Sequence, residues 1–176
     1  MAERRSGENA WAVEIGRATV TAAADVETKI DRFAVGWALT RAQRDLQLAL
    51  DAELASLGTN ISQICLLHEI KANPAASNAQ LASLTFQTPQ SLGQQLSKMQ
   101  ERGLLERLPG QGRKLRNYIT AAGERLHREG MEKARAVHDR VLQDFDDPEL
   151  AKLAANLFTI AKRGAAEKAT NKIRSL

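Results

Sequence analysis

The chain has 176 residues, of which 43% are hydrophobic but only 4% aromatic, and it carries four prolines; this balance predicts one helix-rich globular unit with a real core. A formal net charge of +4 permits an anionic partner such as nucleic acid without demanding one. The single cysteine, Cys65, excludes an internal disulfide, and no stretch has the apolar length of a signal-peptide core or of a membrane span of roughly 18 residues, so a soluble protein of a reducing, cytoplasmic compartment is expected.

Residues 1–24 have weak periodicity and read as a loosely structured N-terminal arm. From Asp25 to about Leu57, Ile30, Phe33, Trp37, Leu48, Leu54 and Leu57 recur at helical spacings among charged residues, and Gly58 supplies a stop. Thr59 or Asn60 caps a second helix carrying Ile61, Ile64, Cys65, Leu67 and His68, which "NPAAS" interrupts. Ser77 and Gln80 have the spacing of a capping box, in which each side chain satisfies an unpaired N–H at the helix start. A short helix with Leu81, Ala82 and Leu84 on its buried side follows.

Thr88 and Pro89 are an N-cap and a first-turn proline, so a further helix begins there and runs to Gly103. Leu92, Leu96 and Met99 repeat every three or four residues and face the core, leaving Gln90, Ser91, Gln94, Ser97, Lys98 and Glu101 on or near the outer side. Leu104 to Leu108 and Leu115 to Thr120 are short strands around "PGQGRK", whose glycines and proline form a turn, giving a β-hairpin. Thr120 caps a long helix through Leu126, Met131, Val137, Val141 and Phe145. Asp147 and Pro148 open a last helix with Leu150, Leu153, Leu157, Phe158 and Ile160, before a basic tail at 165–176.

Between Thr88 and Asn117, Lys98, Arg102, Arg107, Arg113, Lys114 and Arg116 face only Glu101 and Glu106, so this stretch alone carries an excess equal to that of the whole chain. Two short helices joined by a tight turn, with a third before them and a basic hairpin after, describe a winged helix-turn-helix within an all-α fold. Glutamine and serine on an exposed helix pair with base edges in a major groove, and a basic hairpin reaches phosphates or the minor groove. The recognition-helix candidates are Thr88, Gln90, Ser91, Gln94 and Lys98; the wing candidates are Arg113, Lys114 and Arg116.

"TPQSLGQQLSKMQERGLLERLPG", followed by "GRKLRNYIT" and by Thr120-x-x-Gly123, resembles the MarR family of transcription regulators over about Asp25 to Ile160. The resemblance implies a domain over 25–164, with dimerisation helices at about 25–57 and 120–164 and a DNA-binding lobe at about 60–120. It further implies a homodimeric repressor on an inverted-repeat, double-stranded operator. A small aromatic or anionic effector would sit between the lobes, near Trp37, Arg41 and His68. The family's common Asp-x-Arg wing pattern has Gln111 in place of the Asp, with Arg113 at the Arg position, and Gln94 stands where family members often place Arg.

Other readings are plainer. Cys65 lies among apolar residues and is expected to be inert core packing rather than a sensing thiol; His68 is expected to be a satisfied interface histidine, and Trp37 ordinary core. His127 and His138 are eleven residues apart on one helix, too far to share an ion. No catalytic constellation, cofactor motif or metal-ligand spacing is present, so no enzyme is expected. The alternative to a DNA-binding regulator is a winged-helix module for protein–protein assembly with little DNA specificity.

Overall fold

The computed structural model describes residues 31–85, 87–110 and 115–174. In chain order they form α1 (Arg32–Leu54) with a 3-10 turn (Ala55–Leu57), α2 (Ile61–Ala72), β1 (Ala76–Ser77), α3 (Asn78–Leu84), α4 (Pro89–Glu101), β2 (Leu105–Pro109), β3 (Leu115–Ile119), α5 (Ala121–Val141) and α6 (Asp147–Arg174). The mostly helical, winged architecture matches the sequence expectation.

The helix starts are made by local chemistry. Asn60 accepts from the Gln63 amide at 3.0 Å, and Thr88 from the Ser91 amide at 3.2 Å with Pro89 in the first turn. Ser77 and Gln80 form the full capping box. Thr120 Oγ1 accepts from the Gly123 amide at 3.1 Å and donates to the Gly103 carbonyl at 2.7 Å. Gly58 and Gly103 end their helices at φ 64° and 70°, a left-handed conformation costly for other residues. At α6 the cap falls one residue before the expected Asp147: Asp146 Oδ1 accepts from the Glu149 amide at 2.8 Å, and Glu149 Oε2 accepts from the Asp146 amide at 3.0 Å. This reciprocal box satisfies two helix-end donors instead of one.

The hairpin pairs β2 with β3 from Leu105↔Ile119 to Pro109↔Leu115, and β1 adds to the other side of β3 through Ala76↔Asn117 and Ser77↔Arg116. The sheet order is therefore β1-β3-β2. A two-residue strand has no periodicity for a sequence to display. Its anchor is the fully buried Asn117, whose Nδ2 donates to the Ala76 carbonyl at 2.8 Å and to Asn78 Oδ1 at 3.1 Å.

The compact unit ending at Lys133 has a core of Leu66, Leu67, Ile70, Leu81, Leu92, Leu96, Met99, Leu104 and Leu105, with Ile119 and Leu126 packed against it. Burial of each such side chain stabilises by about 1.5–3 kcal/mol. Trp37, expected in this core, is 41% exposed, as are Phe33 at 72% and Leu48 at 57%; α1 instead buries Ala34, Leu50 and Leu54. The second unit, Ala134–Leu176, contains the end of α5, a turn and α6. It exposes Val141, Phe145, Leu153, Leu157, Phe158 and Ile160. The expected arm at 1–24 lies outside the described residues, and α6 runs through Gly164 to Arg174.

Two glycines of α5 are sites of close approach. A Cβ on Gly123 would collide with the Leu104 carbonyl oxygen and come within 2.9 Å of Ile119 Cγ1; one on Gly130 would collide with Ile64 Cδ1 and sit 2.8 Å from Cγ1. Backbone yields less than a side-chain end, so Gly123→Ala is expected to lower unfolding stability by about 3 kcal/mol and Gly130→Ala by about 1–2 kcal/mol. Gly36→Ala, with nothing within 4 Å of the added carbon, should be neutral or stabilising by up to about 1 kcal/mol. Urea unfolding of the three variants measures this order.

Candidate nucleic-acid interface

The register of α4 divides its polar residues into two sets. Leu92, Leu96 and Met99 are fully buried, which turns Thr88, Gln90, Ser91, Gln94 and Lys98 to solvent. Gln90, Gln94 and Lys98 stand at i, i+4 and i+8 and make one row along the helix. Among the described residues their side chains make no hydrogen bond, so their donors and acceptors are available to a partner.

The remaining polar side chains of α4 and its neighbours hold the helix in place. Gln87 and Gln95 both donate to Ser62 Oγ of α2 at 3.3 Å. Arg102 Nη1 donates to Gln63 Oε1 at 2.9 Å. Ser97, placed near the outer side by its spacing, is half-buried: it donates to the Gly93 carbonyl at 3.1 Å and accepts from Arg107 Nη1 at 3.2 Å. Arg107 thus ties β2 to α4, and its buried Nε has no hydrogen-bond partner among the described residues. The basic excess of the sequence had no way to reveal which arginines were structural.

Of the wing candidates, Arg113 and Lys114 lie outside the described residues, as does Gln111. Arg116 is half-buried on β3, and its Nη1 donates to the Ala75 carbonyl at 3.0 Å. That contact holds the chain at Ala75, a non-glycine residue at φ 64°, where an L side chain is strained. A cavity of about 690 Å³ opens beside it, lined by residues including Pro74, Gln80, Pro109, Arg116 and Tyr118.

Of the three effector-cleft candidates, Trp37 and Arg41 lie on α1 and His68 on α2. Arg41 Nε lies 3.3 Å from Asp45 Oδ2 in an exposed pair within α1, of a kind that contributes at most about 1 kcal/mol. Trp37 stands one turn earlier on the same helix. His68 on α2 places Nδ1 3.3 Å from Nε2 of His127 on α5. The sequence reading compared His127 only with His138, which it found too distant to share an ion, and missed this contact, which joins residues 59 positions apart.

Cys65, expected as core, is exposed, because α2 turns Ile64, Leu66, Leu67 and Ile70 inward and leaves position 65 outside that face. Its thiol is nevertheless crowded: partial burial pushes its pKa above the ordinary 9.0, and the charge of Glu69 adds to the shift. Among the described residues no cluster of three His, Cys, Asp or Glu side chains has metal-binding geometry, and no helix is long and apolar enough to cross a membrane.

Residues 57–114 match the model of the MarR family. The HTH-type transcriptional repressor Rv2887 of Mycobacterium tuberculosis is 29% identical over 121 residues, covering 68% of this chain and 87% of that protein. The crystal structure of Rv2887 in complex with p-aminosalicylic acid is similar at a TM-score of 0.59 and 27% identity, covering 72% of this chain and 97% of that one. A mutant of MarR from E. coli, crystallised with operator DNA, shares the fold at a TM-score of 0.68 and 17% identity, covering 74% and 99% of the two chains.

Because the pKa of Cys65 is raised, less thiolate is present at neutral pH than in a free cysteine, and the thiolate is the nucleophile. Alkylation by iodoacetamide at pH 7.5 is expected to be slower than for a cysteine-containing peptide, with its half-maximal rate at a higher pH than the peptide's. The pH–rate profiles of protein and peptide, followed by mass spectrometry, check this; a midpoint below the peptide's would mark an activated thiol.

Proposed function

We propose that this chain is a member of the MarR family, to which its matches point, and a homodimeric transcriptional repressor that reads an inverted-repeat operator and responds to a small ligand. The repressors among its relatives are regulators rather than enzymes by name. The observation that carries the reading is the exposed row Gln90, Gln94 and Lys98 on a helix whose other face is fully buried. Such a helix enters a major groove with a defined side forward. Gln94 reads a base, adenine being the geometric match for a glutamine amide, while Lys98 and the wing residues Arg113, Lys114 and Arg116 neutralise phosphates.

Dimerisation is supported by apolar side chains exposed on each unit: Phe33, Val35 and Trp37 on α1, and Leu153, Leu157, Phe158 and Ile160 on α6. Leu150, Leu153, Leu157 and Ile160 repeat at three- and four-residue steps, a stripe suited to a second copy of the chain. The effector proposed is a small aromatic carboxylate, after the p-aminosalicylic and salicylic acid complexes of Rv2887, with Trp37, Arg41 and His68 as its contacts.

Selection of bound sequences from a random DNA pool is expected to recover an inverted repeat; failure to enrich any sequence would favour the assembly-module alternative. With the recovered operator, Gln94→Ala should cost about 1–3 kcal/mol at one position of each half-site and relax preference there. Unchanged preference would remove Gln94 from the readers. Sedimentation of the full chain at micromolar concentration should give a dimer, and truncation before Pro148 should yield monomer.

A further inference from the structure

His68 and His127 are held by helices that already touch one turn away, where Ile64 of α2 meets Gly130 of α5 so closely that a methyl group would not fit. The imidazoles are thus presented by a rigid pair of elements, which is the condition for a preorganised ligand set. Their facing nitrogens, His68 Nδ1 and His127 Nε2, are 3.3 Å apart, with ring centroids at 5.4 Å and planes at 28°. With one ring protonated at its facing nitrogen, this distance serves an N–H···N hydrogen bond between the two imidazoles. As the bite of two ligands it fits: nitrogens each about 2.05 Å from a tetrahedral ion lie roughly 3.3 Å from one another.

We propose that His68 and His127 form a two-histidine binding site for a first-row divalent transition-metal ion of the Zn²⁺ class, linking α2 to α5. Each imidazole gives one lone pair to the ion, His68 through Nδ1 with its proton on Nε2, and His127 through Nε2 with its proton on Nδ1. Imidazole ligands select zinc and its neighbours over magnesium or calcium, which prefer oxygen. Among the described residues no third His, Cys, Asp or Glu side chain joins them in metal-binding geometry, so the other coordination positions belong to water. The site is therefore open to exchange and weaker than a closed four-ligand site. It goes beyond the regulator reading and does not depend on DNA binding.

The test uses the full chain without a histidine tag, at pH 7.5, titrated with Co²⁺ as a spectroscopic probe and with Zn²⁺ in competition. Expected are one ion per chain in the micromolar range, displacement of Co²⁺ by Zn²⁺, and affinity reduced by at least roughly tenfold in His68→Gln and in His127→Gln. His138→Gln, on the same helix as His127, should bind like the parent. In the unmutated chain, Co²⁺ should broaden the ring resonances of His68 and His127 and spare His138, a readout that does not depend on any variant folding. Binding weaker than about 1 mM, equal affinity in parent and His127→Gln, or broadening centred elsewhere would overturn the proposal.

Discussion

Full burial of Leu92, Leu96 and Met99 on α4 constrains what this lobe presents to its surroundings. A helix rotates by about 100° for each residue of register, so a different buried stripe would turn Gln94 toward the core and expose leucine. Each buried side chain contributes about 1.5–3 kcal/mol, whereas an exposed ion pair such as Arg41–Asp45 contributes at most about 1 kcal/mol. Apolar burial therefore sets the rotation of α4. The polar ties from Gln95 and Gln87 to Ser62, and from Arg107 to Ser97, then restrain its position against α2 and β2.

Small residues set how closely the next layer approaches. Gly123 admits the Leu104 carbonyl at the base of the wing, and Gly130 admits Ile64 of α2. Both contacts couple α5 to the elements that support α4. A carbonyl cannot rotate away as a side chain does, so the Gly123 contact makes the helix start and the first wing strand one rigid piece. The His68–His127 juxtaposition follows from this packing: two helices brought together at Ile64 and Gly130 also bring together the residues one turn on.

The basic side chains of the winged lobe fall into two sets. Arg102, Arg107 and Arg116 each spend part of a guanidinium on Gln63, Ser97 and the Ala75 carbonyl. These contacts orient the cations while leaving further donors on each fork. Lys98, with no internal hydrogen bond among the described residues, keeps all three ammonium donors uncommitted within the lobe.

Much of this architecture was legible in the residues themselves. The caps at Asn60, Ser77, Thr88 and Thr120 act through side chains three positions from their partners, and the stripe Leu92, Leu96, Met99 needs only the period of a helix to declare its buried face. Local chemistry of this kind is written in spacing. What the chain alone could not display are relations between distant positions: the two-residue β1 stitched to β3 by Asn117, and the approach of His127 to His68 rather than any relation to His138. Burial was also decided in three dimensions. Trp37 and Cys65 have the composition of core residues, yet Trp37 is 41% exposed and Cys65 lies off the inward face of α2, because which side of a helix is covered depends on the neighbours it meets, and those are chosen by the packing of the whole unit.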